Sequence, residues 1–155
     1  MAARLRAETA GRLAEESVAS EHADPLRASV ANTLPWRDRD PALLTHSEWQ
    51  SLRRDAVEMD VDGKKQQQAL IEAAHANPVL RSLYPFTSHW ALRFSTTTRP
   101  DMTIVGPCVA ACSNGTCNVG DHHADDFDKF PTAEEAVAEA VRRLPAGLGP
   151  VTLGA

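Results

Sequence analysis

The stretch from residue 90 to residue 98 alternates large apolar side chains with smaller or polar ones, and this alternation constrains the fold more than any other feature. Trp90, Leu92 and Phe94 fall on one face of an extended chain, and a period of two is typical of a half-buried strand. The β-prone run that follows is interrupted by Gly106-Pro107. Proline removes a backbone donor from the ladder, so we expect an edge or a bulge at this position.

A second strand, Thr103 to Cys112, and a third, Thr116 to Gly120, are joined by Asn114-Gly115. Asn-Gly is the preferred dipeptide of a two-residue type I′ turn, because both positions need a positive φ. Such a turn would place Cys112 directly opposite Cys117, with Cα atoms about 4.5 Å apart. That separation is at the short end of the disulfide range. The turn therefore predicts that these two cysteines are cross-strand neighbours and a disulfide candidate.

Helical patterns lie on both sides of the strands. Thr45-His-Ser-Glu48 has capping-box spacing before an apolar stripe that runs to about Glu58, and residues 66–76 carry a second apolar face. Thr132-Ala-Glu-Glu135 is another capping box, before a helix that ends near Leu144-Pro145. The sequence predicts an α+β fold with N-terminal helices, a three-stranded antiparallel β-meander, and a C-terminal helix packed on the sheet.

Length and charge limit the classes of protein that need considering. A chain of 155 residues that is 43% hydrophobic suits one domain. We expect a weakly ordered or helical segment over residues 1–23 and a single α+β domain over 24–155. The formal charge of -5 and the absence of a basic cluster argue against nucleic acid or an anionic membrane as partner. No secretory segment or membrane-length apolar run is present in the sequence, so we expect a cytosolic protein.

A family resemblance is carried by the segment His75-Ala-Asn-Pro-Val-Leu-Arg-Ser-Leu-Tyr-Pro-Phe-Thr-Ser-His-Trp-Ala-Leu-Arg-Phe-Ser95. Over roughly residues 69–153 the chain resembles domain of unknown function 6193, an actinobacterial family often labelled "natural product biosynthesis protein". Thr132 to Val137 and Arg143 to Pro150 resemble the family's closing helix and tail. The resemblance implies a small protein that serves a biosynthetic pathway. It brings no catalytic residues with it, and it does not rest on the cysteine-rich hairpin.

Two classes of function remain open on the residues alone. The first is a small accessory or binding protein, whose partner is a small molecule or another protein of the pathway. An aromatic cleft between the sheet and the helices is the candidate binding site, with a histidine to orient the ligand. Its predicted residues are Trp49, Tyr84, His89, Trp90 and Phe94. The sheet also leaves an apolar face that a homodimer would cover.

The second class is a biosynthetic enzyme with a site near residues 108–123. A cysteine nucleophile needs a nearby base or cation, which makes Cys117, His89 and His123 the catalytic candidates. A metal or haem site is the other form of this hypothesis, because thiolates and imidazoles are ligands for soft metals. Its candidate ligands are Cys112, Cys117, His122 and His123. The sequence specifies no cofactor and no reaction.

Overall fold

The computed structural model describes residues 38–59, 62–121 and 127–154. The chain divides into two units, Met1–Arg39 and Asp40–Ala155, and nearly all described residues belong to the second. The predicted segment 1–23 lies outside the described residues, as do His122 and His123.

Four helices are described: α1 (Pro41–Glu58), α2 (Lys64–Ala76), α3 (Pro78–Arg81) and α4 (Ala133–Arg142). The predicted start of α1 at Thr45 was wrong. Asp40 accepts a hydrogen bond from the Ala42 amide at 2.9 Å and Pro41 begins the helix, a combination suited to a helix N-terminus. Thr45 lies inside α1 and donates to the carbonyl of Pro41. The predicted cap of α4 is confirmed, since Thr132 Oγ1 accepts from the Glu135 amide.

The sheet is an antiparallel meander of five strands rather than the predicted three. Its strands are β1 (Tyr84–Ser88), β2 (Ala91–Ser95), β3 (Ile104–Ala111), β4 (Cys117–Gly120) and β5 (Asp128–Phe130). The first missed strand, β1, contains Pro85, which weakens a strand pattern but is tolerated at a sheet edge. The second, β5, has only three residues beside an acidic segment. The α+β class is confirmed, with two further strands at the two edges of the sheet.

Gly106-Pro107 produces a bulge and not an edge. Leu92 pairs with Val109 but Phe94 pairs with Val105, so β3 carries extra residues between these pairs. Gly106 has a φ of 69°, and an added Cβ would approach the Leu144 side chain at 2.6 Å. The strand therefore continues through the centre of the sheet with a local change of register.

The helices cover one face of the sheet, which we call the inner face. Leu92, Phe94, Val109 and Val119 lie on this face and are fully buried in the main core. The helices contribute their own buried residues to the same cluster, among them Trp49 of α1, Leu70 of α2 and Ala136 of α4. The described domain therefore has a layer of helices packed on one face of the sheet.

Candidate functional site

The loop between β1 and β2 is the most unusual backbone feature of the described residues. Ser88 pairs with Ala91, so His89 and Trp90 alone form the loop, with φ angles of 49° and 70°. Two positive φ angles in a two-residue loop are typical of a type I′ turn, which favours Asn and Gly. A side chain with a Cβ costs about 1–2 kcal/mol in this conformation. We call His89 and Trp90 the strained tip.

The strained tip is also exposed. The Trp90 side chain is 63% accessible, which is the largest value among the described large hydrophobic residues. The prediction that Trp90 shares the inner face with Leu92 and Phe94 was wrong, because the strand begins one residue later and Trp90 belongs to the turn. His89 is exposed beside it, and its Nδ1 lies 3.3 Å from the Ser88 hydroxyl. The tip therefore offers an indole and an imidazole to the surroundings.

Two adjacent glutamines of α2 hold this end of the sheet. Gln67, which is 7% exposed, donates from Nε2 to the backbone carbonyl of Trp90 at 3.3 Å. Gln66 donates to the carbonyl of Ser113, in the β3–β4 loop, at 3.0 Å. In an antiparallel meander the first and third loops lie at the same end of the sheet, and these hydrogen bonds fix both of them to one helix. The strained tip therefore has a rigid support.

The β3–β4 loop differs from the predicted two-residue turn. Cys112 donates its amide to the Thr116 carbonyl, and the Gly115 amide donates to the Cys112 carbonyl. The loop consists of residues 113–115, with Gly115 at a φ of 86°, which matches a type I turn followed by a glycine bulge. Asn114 Oδ1 accepts from both the amide and the hydroxyl of Thr116. The asparagine thus closes the loop through its side chain.

This register separates the two cysteines that were predicted to pair. Cys117 lies opposite Ala111, and Cys112 lies opposite Thr116, so the prediction of direct Cys112–Cys117 neighbours was wrong. All three cysteines are free thiols, with Cys108 and Cys117 buried and Cys112 partly exposed. Burial raises the pKa of the Cys117 thiol, and the nearby Cys112 raises it further. A raised pKa opposes formation of a thiolate nucleophile or ligand.

Two of the three predicted catalytic residues, Cys117 and His89, lie among the described residues and differ in exposure. Cys117 belongs to the core cluster on the inner face, whereas His89 is exposed in the loop between β1 and β2. Cys117 begins β4, and Asp121 follows its other end. In the described ranges no group of three His, Cys, Asp or Glu side chains is placed to hold a metal ion.

The predicted aromatic residues are divided between the core and the surface. Trp49 is 1% exposed, and its Nε1 donates to the carbonyls of Arg81 and Leu83. Its ring lies 6.3 Å from that of Phe94, which is fully buried. Tyr84 is also buried, and burial followed by the Glu48 carboxylate raises its hydroxyl pKa. Trp49 and Phe94 are thus brought together as core, while His89 and Trp90 are brought together at the tip.

Comparison with known protein families gives a match over most of the chain. A family model described as "Family of unknown function (DUF6193)" matches residues 43–155. The chain belongs to this family. The resemblance noted from residue 69 onwards is thereby confirmed, and the DUF6193 match also takes in most of α1. No curated protein and no solved structure matches the chain.

The DUF6193 region contains the strained tip, both supporting glutamines and all three cysteines. Sequence reasoning missed the glutamines because a polar residue at the start of a helix has no signal of its own. The tip itself had a signal, since Phe86-Thr87-Ser88 is β-prone and only two residues separate it from Ala91. None of the described helices is long and apolar enough to cross a membrane.

Proposed function

We propose that this protein is a small, non-catalytic binding protein of the cytosol that docks to an enzyme of a natural-product pathway through its strained tip. The observation that carries this proposal is the combination of two left-handed non-glycine residues with an indole that is 63% exposed. Neither feature benefits the isolated fold. Strained backbone residues cluster at active sites, ligand clamps and switch regions, so the strain at the tip supports a binding role.

The support behind the tip fits this role. Gln67 fixes the Trp90 carbonyl from a buried position on α2, so little ordering of the loop remains to be done on binding. Preorganisation of this kind raises affinity because it lowers the entropic cost of association. Tryptophan is also among the residues that most often dominate binding energy at protein interfaces. The pathway part of the proposal rests on the labelling of the family that the chain resembles.

The experiment compares three versions of the tagged full-length chain in the cell that produces it. The variants are the native chain, Trp90→Ala, and Val79→Ala as a control, since Val79 is another exposed apolar residue, 46% accessible, on α3. We expect cross-linking mass spectrometry to find a pathway enzyme with the native chain and with Val79→Ala but not with Trp90→Ala. The direct interaction is then measured with the purified enzyme, and we expect Trp90→Ala to weaken it at least tenfold.

Two results would overturn the proposal. One is capture that does not depend on Trp90. The other is a large loss of thermal stability in Trp90→Ala, because it would assign the indole a structural role in spite of its exposure.

A further inference from the structure

We infer that the partner of the strained tip binds as an extended strand along the neighbouring edge of the sheet, at Thr87 of β1. This inference rests on the proposed docking at the tip and names the form that the partner takes there. β1 is the first strand of the described sheet, and its neighbour in that sheet is β2 on one side. Thr87 is exposed, and only Ser88 and His89 separate it from Trp90 along the chain.

The register of β1 decides which of its backbone groups face the open edge. Ser88 and Ala91 flank the two-residue loop, and residues in that position exchange hydrogen bonds with each other. Hydrogen-bonded and non-hydrogen-bonded pairs alternate along an antiparallel ladder, so Thr87 forms a non-hydrogen-bonded pair with Leu92. The amide and the carbonyl of Thr87 therefore point away from β2. In the part of the chain that the structure describes, neither group has a hydrogen-bond partner on that side.

Pro85 supports this assignment and also limits the open edge. It forms the next pair of the same kind, with Phe94, where a residue without an amide hydrogen costs the ladder no hydrogen bond. Pro85 is buried, and it offers no amide hydrogen to a chain beside it. The open part of the edge is therefore the half next to the strained tip, which contains Thr87.

The opposite edge of the sheet is protected against such pairing. β5 has three residues, and Asp128 and Lys129 give it exposed charges. Short edge strands and charged side chains discourage the addition of another strand. β1 has no charged residue, and threonine is among the residues that favour strands. An unpaired amide and carbonyl on such a strand recognise the backbone of an extended peptide.

The occupant is thus an extended segment of the partner enzyme, with a β-branched residue other than proline opposite Thr87. In an antiparallel arrangement that residue would exchange two backbone hydrogen bonds with Thr87, which fixes the register, and paired β-branched side chains add contact across the strands. A strand rises about 3.3 Å per residue, so the residues that follow on the partner strand reach the indole of Trp90. The edge supplies the register of the complex, and the indole supplies its apolar contact.

Thr87→Pro is the decisive variant, because it removes the outward amide hydrogen and leaves the ladder to β2 intact. Pro85 shows that β1 accepts proline in such a position. Thr87→Val is the matched control, since it keeps the backbone groups and the β-branched shape. With the purified pathway enzyme, Thr87→Pro should weaken binding at least tenfold, whereas Thr87→Val should bind as the native chain does. Thermal unfolding close to the native temperature checks that Thr87→Pro is folded.

A second measurement leaves the protein unchanged. The native full-length chain is titrated with a capped peptide of alternating threonine and valine, and backbone amide signals are followed by NMR. We expect saturable shifts at Thr87 and none in β5. The same peptide with prolines at two adjacent central positions should not bind. The inference fails if the Thr87 signal does not respond, or if the proline peptide binds equally well.

The outcomes separate this inference from the proposed docking. Normal enzyme binding by Thr87→Pro, together with weak binding by Trp90→Ala, would overturn the strand inference and leave the docking in place. If Trp90→Ala also binds normally, the docking proposal fails, and the peptide titration decides whether Thr87 is a strand-binding edge. A dimer of the purified native chain that Thr87→Pro abolishes would assign the edge to a second copy of the protein and would overturn the inference.

Discussion

The two loops that α2 holds at one end of the sheet solve the same geometric problem in opposite ways. Residues 113–115 reverse the chain with a glycine at the position that requires a positive φ. The strained tip reverses it with a histidine and a tryptophan at both such positions. The first loop follows the preferences of the backbone, whereas the second departs from them. The first loop is therefore explained by folding alone, whereas the second is explained by the contact role that we propose for it.

Register explains why Asn114-Gly115 does not form the two-residue turn that its sequence favours. Val109 pairs with Val119, and Ala111 pairs with Cys117, all on the inner face. A two-residue turn would shift this pairing by one position and turn Val109 away from Val119. Such a slip exchanges the faces of every side chain in the strand. The buried pairs therefore decide the loop length, and Gly115 adapts to it.

The largest effect is expected at the strained tip, where the residues that the backbone conformation favours differ from the residues that we propose to bind a partner. The double variant His89→Asn with Trp90→Gly should raise the free energy of unfolding by about 1–2 kcal/mol, because glycine removes the Cβ at residue 90 and asparagine tolerates a positive φ better than histidine does. The same variant should lose the binding assigned to the tip. Urea denaturation and the binding assay measure the two changes. Equal or lower stability would show that the tip is not strained.

A smaller effect, this time only a loss of stability, is expected in the loop of residues 113–115. Gly115→Ala should lower the free energy of unfolding by about 1–2 kcal/mol, since the φ of 86° disfavours any Cβ. The added methyl group would contact nothing within 4 Å, so the effect isolates the backbone. Gly149→Ala is the matched control, because its added Cβ also meets nothing. If both variants lose the same stability, the left-handed conformation is not the cause.

The two supporting glutamines should differ in how much they stabilise the fold, because Gln67 is buried and Gln66 is only half-buried. Gln67→Ala should cost about 1 kcal/mol, because it removes a hydrogen bond from a buried side chain. Gln66→Ala should cost less, since its hydrogen bond to Ser113 is exposed to water. Hydrogen exchange of the loop amides is the more specific measurement. Faster exchange near Trp90 in Gln67→Ala, without change near Ser113, is the expected pattern, and equal changes at both loops would contradict it.

The smallest change in stability is expected when the pH is lowered. Glu139 binds Arg142 and Arg143 near the end of α4, and these hydrogen bonds lower its pKa to about 2. A carboxylate whose pKa is lower in the folded state stabilises the fold above its unfolded pKa of about 4.3, and this contribution is lost as the pH falls towards 2. Glu139→Gln should therefore flatten the decline in stability between pH 5 and pH 3.

The tip variants should keep the native slope over this interval. Their altered residues do not contact the Glu139 cluster, which involves α4 and Asp128 at the start of β5. A changed slope in the tip variants would mean that the two ends of the domain are coupled.

Local patterns predicted the features that depend on neighbouring residues. The alternation of Leu92 and Phe94 placed both on the inner face, and the Thr132 capping box placed the start of α4. Contacts between distant residues decided the rest. The identity of His89 and Trp90 gives no indication of a type I′ turn, because the pairing of Ser88 with Ala91 imposes it.

The burial of two cysteines leaves Cys112 as the one partly exposed thiol of the chain. It lies directly before the 113–115 loop, at the end of the sheet that also carries the strained tip. A maleimide spin label or fluorophore would attach there without an introduced cysteine and without removal of a native one. The domain thus carries its own attachment point for a reporter, beside the surface on which a docked enzyme would change the reporter's mobility.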